Sequence, residues 1–296
     1  MKRGGARPLV HFAAALRSAF SPGLVPAAHS RRRRPTAMIG LILCLGCLLA
    51  GIAASQTRIR STFSKADLPE AEFHLGRVVY RTMGGGGSRG FSNPWWAIDY
   101  PMAEVNFLPA LRRLTILSIA DDSRHLPLTD DRIFNYPFLF IQQVGQGNWR
   151  PSNEEADRLR DYLMRGGFLL VDDFHGEWDW AVFQAAIERV LPGRPIVEIP
   201  DDDPLMHVFY DLGDRIQIPG QRHLRWGGGG QIVAQMQGQP HWRGIYDDQG
   251  RLIVGINFNI DMGDAWEHAD DAFYPAPMTG QAYRLGINYV IYAMTH

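Results

Sequence analysis

The chain has 296 residues, 46% hydrophobic and 21% charged, with a formal net charge of −1. This composition excludes a disordered or collagen-like protein and leaves room for one large globular domain with a tail. The near-neutral total hides a split: residues 1–37 carry eight basic side chains and no acidic one, while the remainder holds 22 basic and 31 acidic residues, an acidic body that is a poor electrostatic partner for nucleic acid.

Arg31–Arg34 precede Met38–Ala54, seventeen residues without a charge, and Ala53-Ala54-Ser55 offers the small residues a signal peptidase favours. Seventeen apolar residues also reach the short end of the range for a membrane-spanning helix. Residues 1–37 therefore read as a disordered basic region, 38–55 as a signal peptide or membrane anchor, and 56–71 as a linker. Either way the arginines stay cytoplasmic and the domain faces outward, periplasmic or otherwise extracytoplasmic, with the membrane as a partner if the segment is uncleaved. Cys44 and Cys47 are the only cysteines, both inside the apolar run. A zinc ribbon, a structural disulfide and a cysteine nucleophile are thus excluded for the folded domain.

Phe73–Arg81 is β-rich and reads as the first strand. Gly84–Gly90 follows as a mobile loop; it lacks the GxGxxG spacing and an immediate helix, so a phosphate cradle is the weaker reading. A helix is expected from Pro101 to about Arg113, then short strands at Leu114–Ile119 and Pro137–Ile141, the latter apolar throughout as in a parallel sheet covered on both faces. Ser152 and Glu155 form a capping box for a helix ending at Gly166. Phe168–Val171 is the next strand, Trp178–Leu191 a helix with core spacing, and Ile196–Ile199 a further strand. Gly227–Gly230 reads as another mobile loop. Gly244–Tyr246 and Leu252–Ile256 form a hairpin, and Gly280–Thr295 a closing helix. This alternation predicts an α/β fold with a mostly parallel sheet flanked by helices and an antiparallel C-terminal hairpin.

Three blocks carry a resemblance. Leu159-Arg160-Asp161-Tyr162-Leu163 leads into Gly166–Gly176, with Asp172-Asp173-Phe174-His175 at its end. Asn257-Phe258-Asn259 leads into Gly263-Asp264-Ala265-Trp266-Glu267, and Gln281–Tyr289 follows. Together they resemble the DUF4159 family, a domain of unknown function, over roughly residues 72–296. The resemblance implies a flavodoxin-like sheet similar to that of class I glutamine amidotransferases, and no particular reaction. It does not extend to amidotransferase chemistry, because no cysteine stands at the strand-to-helix turn.

Ligands of open α/β sheets bind beyond the carboxyl ends of strands. Asp172, Asp173, His175 and Glu177 stand there and are the catalytic candidates; carboxylates and imidazole can act as acid and base or bind a metal. A second group, Asp261 to Asp271 with Asp264, Trp266, Glu267 and His268, is placed to cover the first, and His207 follows the acidic run Asp201–Asp203. The expected ligand-binding set is Asp172, Asp173, His175, His207, Asp264, Trp266, Glu267 and His268. No cofactor is required; a divalent metal fits His175, Asp173 and His268. Neither a GxSxG elbow nor HExxH occurs. Three readings stand: a module binding a small polar ligand such as a carbohydrate, a hydrolase using the Asp/His cluster with or without a metal, and a scaffold for an envelope protein partner. A hydrolase requires a pocket in which His175 and the Asp261–Asp271 segment converge within reach of a shared atom, a binder requires the pocket with aromatics but without that convergence, and a scaffold requires no pocket and an exposed apolar patch.

Overall fold

The computed structural model describes residues 71–82, 94–235 and 238–296. The basic region, the apolar run, nearly all of the linker and the Gly84–Gly90 loop lie outside the described residues. Among the described residues no helix is long and apolar enough to cross a membrane.

In chain order the elements are β1 (Gly76–Val79), α1 (Met102–Leu114), β2 (Arg124–Pro127), β3 (Phe138–Gln142), α2 (Asn153–Met164), β4 (Phe168–Phe174), α3 (Gly176–Val190), β5 (Val197–Glu198), β6 (Leu224–Trp226), β7 (Ile232–Ala234), β8 (His241–Tyr246), β9 (Leu252–Phe258), α4 (Met262–Glu267) and α5 (Ala276–Thr295). Seven strands form one sheet in the order β2-β1-β3-β4-β9-β8-β5. The first five are parallel, β8 runs antiparallel to β9, and β5 antiparallel to β8. A separate antiparallel ribbon joins β6 and β7.

The apolar strands are buried on both sides, and the period of two sorts their side chains. Phe138, Phe140, Phe168 and Leu170 pack with α1 and α5, whereas Leu139, Ile141, Leu169 and Val171 pack with α2 and α3. Each such side chain contributes roughly 1.5–3 kcal/mol on burial, which holds β3 and β4 at the centre of the sheet. The capping box of α2 forms as the sequence suggests: Glu155 N–H donates to Ser152 Oγ at 3.2 Å, and Ser152 N–H to Glu155 Oε2 at 2.8 Å.

Several elements differ from the sequence reading. No strand spans Leu114–Ile119: α1 runs through Leu114, Ile116 is fully exposed, and only Ile119 bridges to Phe73. The edge strand lies later, at Arg124–Pro127, where one covered face needs no apolar run. β4 continues three residues past Val171, so both aspartates belong to the strand. Gly227–Gly230 is the tight turn of the β6–β7 ribbon, with Gly229 at φ 80°, where the sequence suggested a mobile loop. The last helix begins at Ala276, four residues earlier than expected.

Candidate functional site

β3, β4 and β9 lie side by side and parallel, so their carboxyl ends open on one edge of the sheet. Each ends in polar residues: Gln142 and Gln143, Asp172 and Asp173, Asn257 and Asn259. Gln143, Asp173 and Asn259 share a left-handed backbone, at φ 52°, 54° and 59°. Few residues other than glycine adopt it, although Asn and Asp do so at least cost. The turned backbones interlock. Asp173 N–H donates to Ile260 O at 3.1 Å and Asn259 N–H to Phe174 O at 3.1 Å, while Gln143 N–H lies 3.3 and 3.2 Å from the Asp172 and Asp173 carbonyls.

The two neighbouring aspartates have different work. Asp172 is completely buried. Its Oδ2 accepts the Met262 and Gly263 N–H groups at 2.8 and 3.1 Å, and its Oδ1 accepts Asn257 Nδ2 at 3.1 Å. It therefore fixes the start of α4 against β4 and leaves no oxygen for a ligand to reach from solvent. Burial, reinforced by the Asp173 charge, pushes its carboxyl up to about 8 against the pull of these donors. Gly263 permits the close approach: a Cβ there would stand 2.0 Å from Gln142 Nε2 and 2.1 Å from Asp99 Oδ2.

Asp173 turns the other way, as the next residue along a strand does, and its left-handed backbone falls where the ladder between β4 and β9 shifts register between Val171 and Phe174. Its Oδ1 lies 3.1 Å from His175 Nε2, and its Oδ2 accepts Gln143 Nε2 at 2.6 Å. Burial alone would raise its carboxyl, but the hydrogen bond and charge of His175, with Arg222 behind them, hold it below the usual range. An ionised carboxylate only accepts. The proton of a neutral His175 ring is thereby assigned to Nε2, and Nδ1 carries the lone pair. That Nδ1 is buried and has no hydrogen-bond partner. Asp179 steadies the turn by accepting the His175 N–H at 2.9 Å.

The second acidic group lies against this pair. Ligand atoms of Asp173, His175 and Asp261 fall within 4.8 Å of one another, as do those of Asp99, Asp261 and Asp264, and those of Asp264, Glu267 and His268. Asp261 caps α4, its Oδ1 accepting Asp264 N–H at 2.9 Å. Burial first, then repulsion from Asp173 and Asp264, raises Asp261 well above an ordinary carboxylate; burial and Asp264 do the same to Asp99.

Residues 217–223 roof the cluster. Gln217 Nε2 donates to Asn259 O at 2.7 Å, and Gln221 N–H to Asp264 Oδ2 at 2.8 Å. Arg222 brings Nη2 to 3.9 Å from Asp173 Oδ1 while leaving 44% of its side chain exposed. The His223 ring is 5.2 Å from that of His175. Burial, then the charges of His175 and Arg222, lower His223 to about 4, so it is neutral at pH 7.

Beneath the site, Arg77 on β1 is buried with Glu104 of α1, Nε and Nη2 donating to Glu104 Oε1 at 2.8 and 2.6 Å. Nη1 donates to the Gln142 side-chain oxygen and to the Trp96 and Ile98 carbonyls, and Gln142 Nε2 donates to Asp99 Oδ2 at 2.6 Å. This network ties the floor of the sheet to Asp99.

Of the residues singled out in the sequence, Asp172, Asp173, His175, Asp264, Glu267 and His268 are gathered at this edge. Glu177 is exposed on the first turn of α3 and belongs to none of the three ligand-atom groups. His207 makes a surface contact of its own, with Asp211 Oδ1 at 2.9 Å and the Asp201 carbonyl at 2.8 Å. Trp266 is a core residue: it is 2% exposed, stacks on Phe107 at 4.1 Å, and donates Nε1–H to Ala282 O at 3.3 Å. Sequence reasoning missed Asp99, Gln142, Gln143, Arg222 and His223. The first of these has no local signal. The two glutamines had one: an apolar strand ending in paired amides beside another ending in paired acids.

A family model described as a domain of unknown function (DUF4159) matches residues 74–294. No curated protein matches the chain.

Proposed function

This chain belongs to the DUF4159 family, and on that footing we propose that its domain is a hydrolase in which an Asp173–His175 pair serves as general base. The carrying observation is the convergence of His175 with Asp173 and Asp261 at the carboxyl edge of β4 and β9, with Nδ1 left as a buried, unpartnered base. The β2-β1-β3-β4 order with a parallel fifth strand supports a flavodoxin-like, amidotransferase-like fold. No cysteine follows Cys47, so amidotransferase chemistry is not part of the reading. An aromatic sugar platform has less support, because Trp266 lies in the core.

The step follows from the side chains. Asp173 holds the Nε2 proton, and Nδ1 takes a proton from water as the water oxygen bonds to an electrophilic carbon or phosphorus. The leaving group departs when its bond to that centre breaks, and it carries the proton returned by Nδ1. Arg222, 3.9 Å from Asp173 and partly exposed, is the cation nearest the negative charge that develops. The basic and apolar N-terminal segments support a location outside the cytoplasm.

The test is turnover of p-nitrophenyl esters, phosphates and glycosides by the full-length protein. One class is expected to be hydrolysed, with the rate falling about 10²–10⁴-fold in His175→Ala and unchanged in His207→Ala. Absence of turnover in every class, or turnover that survives His175→Ala, contradicts the assignment.

A further inference from the structure

The carboxyl groups beside the dyad exceed what general-base chemistry uses. Carboxylate oxygens of Asp173 and Asp261 fall within 4.8 Å of each other, as do those of Asp99, Asp261 and Asp264, and those of Asp264 and Glu267. Two carboxyls in contact repel unless a proton or a cation lies between them. A second, independent observation points to the cation. Gln143 is 2% exposed; its Nε2 is anchored 2.6 Å from Asp173 Oδ2, yet its Oε1 is buried with no hydrogen-bond partner. Because both atoms belong to one planar amide, the unpaired oxygen sits one amide's width from the nitrogen that contacts Asp173. A buried carbonyl oxygen without a donor is destabilising, and a bound metal ion would satisfy it.

We propose that Asp173, Asp261 and Gln143 Oε1 hold one divalent cation of the Mg2+ or Mn2+ type. The donor set is oxygen only, and such ions take one or two carboxylates with the remaining positions filled by water. His175 acts behind the ligands: its Nε2–H on Asp173 orients that carboxylate and leaves Nδ1 as the base. The cation neutralises the carboxyl pair and supplies a Lewis acid next to that base. This inference deepens the hydrolase reading and rests on it.

Mn2+ binding to the full-length protein, followed by the loss of the free-ion electron paramagnetic resonance signal, tests it. One ion per chain is expected. Gln143→Asn, which tolerates the left-handed backbone but shortens the reach, and Asp261→Asn should each weaken binding at least tenfold, while the exposed Asp211→Asn should not. Binding weaker than about 1 mM, or equal binding in all variants, overturns the site. Wild-type protein alone gives a further check: pulsed spectra should lack the coupling of a directly coordinated imidazole nitrogen, and its presence refutes the all-oxygen ligand set. Hydrolysis that persists in chelator yet disappears in His175→Ala removes the cation and leaves the hydrolase standing; Mn2+ binding without any turnover does the reverse.

Discussion

Arg77→Ala should destabilise the domain by about 3–5 kcal/mol, the range for breaking a buried ion pair from one side. Arg77 is 1% exposed and its partner Glu104 2%. Removing the guanidinium strands a carboxylate where no water reaches, and also takes the donors from Gln142 and from the Trp96 and Ile98 carbonyls. The double change Arg77→Met with Glu104→Leu removes both charges and should recover most of the loss, since well-packed apolar pairs commonly match buried ion pairs. Urea unfolding of both variants measures this. A single variant within about 1 kcal/mol of wild type, below the ordinary cost of an unpaired buried group, contradicts the account.

Asp172→Ala is the second large effect. Three buried donors, Met262 N–H, Gly263 N–H and Asn257 Nδ2, lose their acceptor together. At about 1–3 kcal/mol for each unsatisfied group, the loss should exceed about 3 kcal/mol and free the start of α4. Asp172→Asn retains one acceptor oxygen and should lose less. Asp173→Asn should keep the fold, because asparagine accepts the left-handed backbone. Urea midpoints and proteolysis across residues 262–267 distinguish the three. Equal stability of Asp172→Ala and Asp173→Asn contradicts the division of labour between the framing Asp172 and the His175-paired Asp173.

The parallel core was legible because its strands are covered on both faces: Pro137–Ile141 and Phe168–Val171 are apolar at nearly every position, and Ser152 with Glu155 marks the helix between them. The edge strand Arg124–Pro127 was not, since half-covered strands need no such run. Asp172, Asp173 and His175 were legible as a strand end. Which aspartate pairs with His175 was not, because that depends on how far β4 runs past Val171 and on which groups of β9 and residues 262–263 meet each carboxylate. Arg77 and Glu104 are 27 residues apart and meet only through the packing of β1 against α1. Arg222 and His223 reach the site only because residues 217–223 cross β9's end, a path set by long-range contacts such as Asp261 N–H to Ile218 O at 2.9 Å. Trp266 was misjudged for the complementary reason: an aromatic among acids looks exposed, yet the one-sided helix α4 turns it onto Phe107.

The central claim is that linked, buried carboxyls form a ligand site, and thermal unfolding of full-length wild type and Asp261→Asn tests it most directly. Asp172, raised to about 8, and Asp261, raised well above its ordinary value, favour their protonated forms in the fold. The stability this gives is full below the ordinary carboxylate range and is lost as pH rises toward the folded values. His223 is lowered, so its opposing contribution is complete above about 6.5. Between pH 6.5 and 8, in chelator, the wild-type melting temperature should therefore fall. Mn2+ at 100 times its Kd should restore about 2.7 kcal/mol. Asparagine at position 261 still caps α4 and matches the neutral form, so this variant should melt at or above wild type in chelator at pH 8 and ignore Mn2+. A wild type indifferent to Mn2+, or an Asp261→Asn variant that gains as much from it as wild type, contradicts the claim.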